Sequence, residues 1–373
     1  MNAEGYTSTM AANINPAQPV GLAQFLRSGD FVLAVAMVLV VGMMVVPLPS
    51  PLLDLLLVTN ITLALTMLMV SLYVQRPLEF STFPSLLLIL TLFRLALNVA
   101  TTRLVLLNAE AGRVIEAFGT FVVGGNYAVG VVIFIILIVI QFIVVTSGAG
   151  RISEVAARFT LDAMPGKQMA VDADLNAGII DEAEAKKRRS DIARESDFFG
   201  AMDGASKFVR GDAVAGIVIT LVNIVGGFVV GMLMLDMDAL TSLETFTHLT
   251  IGDGLVGQIP SLMISTAAGI IVTRAASKAN LGEEITGQLT QSPSALYVSA
   301  VVMGGLALVP GLPHLPFFLL AVGTAAVAYG KTRAQQQEKL EAETPKPQAA
   351  RAPEEDRIEN YLAIDQMELE IGY

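Results

Sequence analysis

The sequence has no cysteine, no tryptophan and only two histidines, His248 and His314, among its 373 residues. Without thiols the chain can form neither disulfides nor thiolate metal sites, and it has no cysteine nucleophile. Two histidines leave almost nothing for a metal cluster. These absences argue against a metalloenzyme, and we expect neither a metal nor another cofactor.

Charged residues are also scarce, at 15% of the chain, whereas 54% of the residues are hydrophobic. Soluble domains carry about 25% charged residues. The charges fall into a few blocks separated by long uncharged runs, which is the pattern of a polytopic membrane protein. The net charge of −11 and the lack of a basic stripe with interleaved aromatics exclude nucleic acid as an expected partner.

A membrane-spanning helix needs about 20 mostly apolar residues. Eight segments approach that length: 31–49, 52–74, 84–107, 128–147, 211–235, 254–273, 295–312 and 314–330. We therefore predict an all-α polytopic membrane protein with about eight transmembrane helices. Pro310, Gly311 and Pro313 alone separate the last two segments, which predicts a tight helical hairpin that need not cross the full bilayer.

The distribution of lysine and arginine predicts the orientation of these helices. If both termini are cytoplasmic, 20 of the 23 cations lie in cytoplasmic segments, and only Arg113 lies in an outer loop. This asymmetry follows the positive-inside rule. Residues 1–30 do not resemble a signal peptide, because Arg27 is their only cation and no small-residue cleavage site follows the first apolar run.

This topology predicts a small helical cytoplasmic subdomain between the fourth and fifth spans. It should consist of two helices separated by a turn at Pro165-Gly166, the second beginning at the capping residue Asp181. The alternating residues 367–371 resemble a first β-strand, so we expect a further cytoplasmic domain that this chain lacks. The predicted divisions are a tail (1–30), helices 1–4 (31–147), the subdomain (148–210), helices 5–8 (211–330), a flexible linker (331–360) and the start of that further domain (361–373).

Two arginines fall inside the third span. Arg94 lies close to the bilayer centre, where a cation costs about 2.5–3.5 kcal/mol on insertion scales, and it shares one helix face with Asn98 and Thr101. No carboxylate of the chain is expected at the same depth, so this face is either an interhelical contact or part of an ion path. Arg103, near the outer end, should either extend to the interface or pair with Asp54.

Asp212 is the most informative acidic residue, because it lies where the cytoplasmic loop enters the fifth span, close to Lys207 and Arg210. Burial and nearby cations act on such a carboxyl group in opposite directions, which predicts a group that can gain and lose a proton. The alternative is a helix-capping residue at the interface. Asp253, expected at the outer mouth of the sixth span, is either the other end of a proton route or an ordinary loop residue.

The run Arg151-Ile-Ser-Glu-Val-Ala-Ala-Arg-Phe-Thr-Leu-Asp-Ala-Met-Pro-Gly-Lys-Gln-Met169 resembles the signature of the FHIPEP family of flagellar and type III secretion export-gate proteins. The segments 172–178, 184–189 and 199–212 resemble the same family's inner loop, and 93–103 resembles its third span. The segments Ser147-Gly-Ala-Gly-Arg151 and Gly124-Gly-Asn-Tyr127 favour the flagellar branch over the virulence (injectisome) branch.

The resemblance implies a non-enzymatic component of the bacterial inner membrane that forms a homo-nonameric ring and couples proton motive force to the export of unfolded flagellar proteins. It also implies several partners: other export-gate membrane proteins, membrane lipids and, through the further cytoplasmic domain, the export ATPase complex, substrates and chaperones. Residues matching family positions implicated in function or proton coupling are Arg151, Arg158, Asp162, Asp203, Lys207 and Asp212.

Three other functions stay open from the sequence. A passive ring scaffold would leave proton handling to other gate components. A small-solute secondary transporter is disfavoured because the chain shows no internal repeat and no matched pair of broken helices. An intramembrane hydrolase is disfavoured because the sequence offers no histidine at depth and no paired catalytic acids.

Overall fold

The computed structural model describes residues 29–274 and 280–343. Every regular element in these residues is helical, which confirms the predicted all-α polytopic membrane protein. The chain forms two compact units, one ending at Leu281 and the other beginning at Gly282. The helices are α1 (Gly29–Val45), α2 (Ser50–Tyr73), α3 (Phe83–Asn108), α4 (Arg113–Val123), α5 (Tyr127–Gln141), α6 (Gly150–Asn176), α7 (Glu182–Leu233), α8 (Ala239–Thr273), α9 (Leu281–Leu289), α10 (Pro293–Leu306) and α11 (His314–Glu343).

Within the described residues, six helices are long and apolar enough to cross a membrane: α2, α3, α5 with its continuation into α6, α7, α8 and α11. The apolar segments Phe31–Val45 and Pro293–Leu306 are shorter. Each of the eight predicted segments thus coincides with a helix. A π-helical stretch, Phe142–Ala149, joins α5 to α6 without a break.

Two connecting segments differ from the prediction. The segment 236–253, between the predicted fifth and sixth spans, is helical from Ala239, and the segment before α5 contains the unpredicted helix α4. The Asp54 carboxylate accepts hydrogen bonds from the backbone N–H groups of Arg113 and Val114, each at 3.1 Å, and so caps the N-terminus of α4. Arg103 donates instead to the carbonyls of Met44 and Val45, so the suggested Arg103–Asp54 pair is wrong.

The subdomain predicted between the fourth and fifth spans is a pair of antiparallel helices, α6 and the first half of α7. The predicted turn at Pro165-Gly166 is wrong, because α6 continues through Pro165. Proline removes one backbone hydrogen bond, and packing along α7, including the Lys167–Glu195 pair at 2.7 Å, supports the helix across it. The predicted cap is confirmed, since Asp181 accepts from the Glu184 N–H at 2.7 Å.

Helix α11 continues from the predicted last span through Glu343, so the first part of the predicted linker 331–360 is helical. The rest of that linker, the predicted start of a further domain at 361–373 with its strand, and nearly all of the predicted tail 1–30 lie outside the described residues. In the second unit, α10 and α11 form the expected hairpin, with Gly311 at a φ of +94° in the turn between them.

Helix α8 is the central helix of the first unit and packs against α2, α3, α4, α5 and α7. Two buried apolar clusters lie along it. One includes Phe83, Leu87, Met202 and Ile264, and the other includes Leu53, Leu97, Ile115 and Phe246. On α3, Arg94 lies between residues of these two clusters, so the burial of apolar side chains on both sides holds a charged group between them.

Candidate functional site

Four charged residues are buried in the described ranges 29–274 and 280–343: Arg94, Asp212, Asp253 and Arg274. The first three line one small cavity in the first unit, between α3, α5, α7 and α8. Charged groups at membrane depth are expensive and generally mark functional sites. We therefore treat this cavity as the candidate functional site.

Arg94 and Asp212 form an ion pair, with the two side chains 3% and 2% exposed. The expectation that no carboxylate lies at the depth of Arg94 is therefore wrong. Asp212 was assigned to the interface because the apolar run of the fifth span begins beside it. In the structure α7 continues from the half that packs on α6 into the bundle as one helix of 52 residues, and Asp212 faces α3.

Asp253 is also buried, contrary to the expectation that it lies at the outer mouth of a span. It lies 14 residues into α8, about 21 Å along the helix axis. Its carboxylate accepts a hydrogen bond from Asn223 Nδ2 at 3.3 Å, and the Thr101 hydroxyl lies beside it. Among the described residues, its hydrogen-bonding neighbours are thus neutral.

The two carboxylates occupy different depths of the cavity. On α3, Arg94 is the neighbour of Asp212 and Thr101 is the neighbour of Asp253, and these two α3 residues are about 10 Å apart along the helix. On α7, Asp212 and the Asp253 partner Asn223 are about 16 Å apart. The polar groups between these levels include Asn98, Thr220 and Gln258. The cavity volume of about 40 Å³ has room for about two or three water molecules.

Small residues keep the cavity open. Gly257 faces Asn98, whose Oδ1 would lie 3.5 Å from a Cβ at position 257. Gly216 and Gly254 line other parts of the wall. Arg94 Nη1, Asp212 Oδ1 and Asn223 Oδ1 have no hydrogen-bond partner among the described protein atoms. Buried polar groups in this situation are normally satisfied by water.

The polar face of α3 could be predicted from spacing. Arg94, Asn98 and Thr101 share that face because residues three and four apart lie together on a helix. In the structure this face is directed toward α7 and α8, because α3 packs on both helices and Arg94 and Thr101 are buried.

Lys207 and Asp203 lie outside this cavity. The Lys207 ammonium donates to Asp203 at 2.7 Å on the part of α7 that precedes the apolar segment, and this hydrogen bond raises the pKa of Lys207. The expected attraction between Lys207 and Asp212 is therefore wrong, because each is paired elsewhere. Arg210, the other cation near Asp212 in sequence, lies against Gly150.

The predicted loop charges of α6 are also separate from the cavity. Arg151 is exposed, and Arg158 and Asp162 are 83% and 70% exposed with 3.9 Å between their charged groups. Their roles stay predictions.

Sequence reasoning missed the uncharged polar residues of the site on α7 and α8, among them Asn223 and Gln258. Both are uncharged polar residues inside apolar segments of α7 and α8, and this was the available signal. Within the described residues, no group of three histidine, aspartate or glutamate side chains could hold a metal ion. The site can bind protons and water, and its charge state depends on two carboxyl groups.

The sequence of this chain matches one protein family over most of its length. The FHIPEP family matches residues 40–373. The flagellar biosynthesis protein FlhA of Escherichia coli K12 is 56% identical over 79% of this chain and 43% of its own length. The proteins of that name in Bacillus subtilis and Salmonella typhimurium are 54% and 50% identical over 92% and 91% of the chain, and 51% and 50% of their own lengths. The chain thus spans about half the length of these curated relatives, and no solved structure matches it.

Proposed function

The chain belongs to the FHIPEP family, and from that premise we propose that it is a membrane component of the bacterial flagellar type III export apparatus. The flagellar names of the relatives at 50–56% identity support the flagellar rather than the injectisome branch. We further propose that it couples the proton motive force to the export of unfolded flagellar proteins. The observation that carries this second proposal is the pair of carboxylates at two depths of one buried polar cavity.

The charge balance of the cavity supports proton binding. One arginine can compensate one carboxylate, and Arg94 is paired with Asp212. An ionised Asp253 would then leave one negative charge without a cation beside it, which is unfavourable in a membrane-embedded site. Binding one proton makes the three-residue set neutral, so the site gains a proton at small electrostatic cost.

Because the Asp253 and Asp212 carboxylates lie at different depths, they define a route for this proton. A proton from the outer side first binds the Asp253 carboxylate and then passes through cavity water, beside Asn98 and Gln258, to Asp212. Water is required because the backbone positions of the two levels are about 10–16 Å apart, well beyond a direct hydrogen bond. Release to the cytoplasm completes the transfer.

Protonation of Asp212 provides a mechanical step. A neutral carboxyl group no longer forms an ion pair with Arg94, so the contact between α7 and α3 weakens. Because α7 continues unbroken from Asp212 to Glu182, a shift at the cavity moves the cytoplasmic hairpin of α6 and α7. A membrane potential supplies about 2.3 kcal/mol per charge per 100 mV, so several protons are needed for a large movement.

The remaining parts of the proposal follow from the family. The protein forms a homo-oligomeric ring, a nonamer, in the inner membrane with both termini in the cytoplasm. Its partners are the other export-gate membrane proteins, the surrounding lipids, the export ATPase complex, and the substrates and chaperones. The cation distribution of the sequence supports this orientation.

Asp212→Asn in the full-length protein tests the coupling. The variant cannot carry a negative charge at position 212 and leaves Arg94 buried without its counter-charge. We expect loss of flagellar protein secretion into the medium, with the protein still inserted and assembled in the membrane. Secretion is measured by immunoblotting of culture supernatants, and assembly by the size of the solubilised complex.

Asp191→Asn is the matched control, because Asp191 is a carboxylate on the same helix that pairs with Arg194 in the water-facing part. It should export normally. Normal export by Asp212→Asn would contradict proton coupling at this site and leave a passive ring scaffold as the function.

A further inference from the structure

The cytoplasmic hairpin of α6 and α7 has an apolar ridge that nothing in the described residues covers. Ile152, Val155 and Phe159 are 42%, 47% and 69% exposed, and Ala163 is exposed beside them. At 100° per residue these four side chains fall within about 80° of one another, on the side of α6 that faces away from α7. We call them the α6 ridge.

Lipid does not reach the end of this ridge that lies farthest from the apolar run of the fourth span. The apolar run of the fourth span ends at residue 147, and Phe159 lies 12 residues further, about 18 Å along the helix. The headgroup layer is only about 5–8 Å thick on each side of the hydrocarbon core. Phe159 is therefore a large aromatic side chain on a water-facing helix between charged residues.

On the opposite side of the same hairpin, α7 has an exposed face formed mostly by small residues. Gly200, Ala201, Gly204, Phe208 and Gly211 are exposed along one face of α7. No described atom lies within 4 Å of the Cβ position of any of the three glycines. Each glycine destabilises a helix by about 0.5–1 kcal/mol relative to alanine, and packing among the described residues does not explain these three. We call this face the α7 groove.

The ridge and the groove lie at the same height on the hairpin. The cross-pairs Lys167–Glu195, Arg188–Asp174 and Arg189–Asp172 fix the antiparallel register of the two helices. This register places Phe159 level with the gap between Gly200 and Gly204. Two copies held upright in one membrane can therefore bring the ridge of one against the groove of the next without a vertical shift.

The charges beside the two surfaces include one complementary pair, Arg158 at the ridge and Asp197 at the groove; Asp162, 3.9 Å from Arg158, and Lys207 also border these surfaces. Arg151 and Arg158 flank the ridge on one side of α6, and both are exposed. Asp197 is exposed on the groove face of α7 and makes none of the ion pairs found among the described residues. In the antiparallel register of the hairpin, the height of Asp197 along the helix axis differs from that of Arg158 by about 9 Å. An arginine of one copy can thus approach a free carboxylate of the next.

We infer that the α6 ridge of one copy binds the α7 groove of the neighbouring copy, with Phe159 seated between Gly200 and Gly204. This inference rests on the proposed homo-oligomer and identifies its contact surface. A contact between two different faces of one molecule is heterologous, and it closes into a ring when repeated by rotation about the membrane normal.

Cysteine cross-linking tests this contact, because the chain contains no native cysteine. Ala163→Cys and Ala201→Cys are introduced into two full-length copies with tags of different size, which are co-expressed and oxidised in isolated membranes. Both changes are small and leave Phe159 and the glycines in place. We expect a cross-linked species that carries both tags.

The matched control replaces Ala163→Cys by Leu161→Cys, an exposed residue on a different face of the same helix. Its cross-linking to Ala201→Cys should be at least tenfold weaker. Gly204→Leu, which fills the groove without meeting any described atom of its own chain, should lower the 163–201 cross-link at least tenfold. Ser190→Leu, exposed on the same face of α7 but beyond the ridge, should leave it unchanged.

The outcomes separate this surface from the proposed function. If the solubilised complex is oligomeric but the 163–201 cross-link is absent, or the 161–201 cross-link equals it, the ridge–groove contact is wrong and the ring stands. If Ala163→Cys links instead to another protein, or within its own copy, the assigned occupant is wrong. A chain that is monomeric in membranes overturns both the contact and the proposed ring.

Discussion

Arg94 and Asp212 depend on each other because both side chains are almost completely buried. A buried ion pair stabilises little relative to apolar residues, but removal of one partner leaves an uncompensated charge and typically costs about 3–5 kcal/mol. This asymmetry makes the pair suitable for a switch. A single proton on Asp212 has the electrostatic effect of removing one partner.

A double-mutant cycle on Arg94→Gln and Asp212→Asn measures this dependence. Each single variant should lower the free energy of unfolding by about 3–5 kcal/mol, and the double variant should recover most of the loss because no buried charge is left unpaired. Unfolding titrations in mixed micelles provide the measurement. The exposed pair Arg194–Asp191 is the control, with an expected coupling of about 0.2–1 kcal/mol. Additive losses at Arg94 and Asp212 would contradict the pairing.

Some residue-level features could be read from the sequence, and others could not. The α3 face of Arg94, Asn98 and Thr101 follows from helical spacing alone. The pairing of Arg94 with Asp212 joins residues more than a hundred positions apart, so it depends on which helices pack together. Asp253 was misplaced because the apolar run begins beside it, whereas the helix begins at Ala239.

At the scale of helices, close approach between α8 and its neighbours is made possible by glycine. A Cβ at Gly252 would lie 2.1 Å from the backbone carbonyl oxygen of Ile115 on α4. A Cβ at Gly231 would lie 2.1 Å from the Ser242 hydroxyl oxygen. These contacts hold α4 and α7 against α8, and Asp253 directly follows Gly252.

Gly252→Ala should therefore force α4 away from α8, because a backbone carbonyl cannot rotate out of the way as a side chain can. We expect destabilisation of about 1–3 kcal/mol, seen as a lower midpoint in thermal unfolding of the solubilised protein. Gly269→Ala, on the same helix with no described atom within 4 Å of its Cβ position, should be neutral or slightly stabilising. Equal effects of the two changes would show that the α4–α8 contact is not tight.

The apolar runs predicted the existence of the helices well, but not their ends. Helix α7 extends far beyond its apolar segment because its charged half packs along α6, and a hydropathy reading sees only the membrane part. Proline at position 165 suggested a turn, but antiparallel packing and the cross-pairs of the hairpin override that local preference. Helix α4 was missed because 11 residues are too few for a span, although Asp54 caps it from α2.

Over the whole chain, the described parts link three levels of one proposed mechanism. Two carboxylates lie in a cavity between apolar clusters, one continuous helix connects that cavity with the hairpin of α6 and α7, and the hairpin carries the two exposed faces of the proposed contact. In the proposed mechanism, a proton bound at the cavity therefore alters a contact between neighbouring copies. This link between the cavity and the contact is possible because α7 lines the cavity, continues into the hairpin and forms one of its two exposed faces.

Infrared difference spectroscopy of the full-length protein tests the central claim most directly, because a protonated carboxyl group has its own C=O stretching band. The pH is varied across the range that bacterial cytoplasm and its surroundings cover, with Asp212→Asn, Asp253→Asn and Asp191→Asn measured alongside. The account predicts a band that grows and disappears with pH, is altered in the first two variants and is unchanged in the third. A spectrum in which neither Asp212 nor Asp253 contributes a pH-dependent band would contradict it.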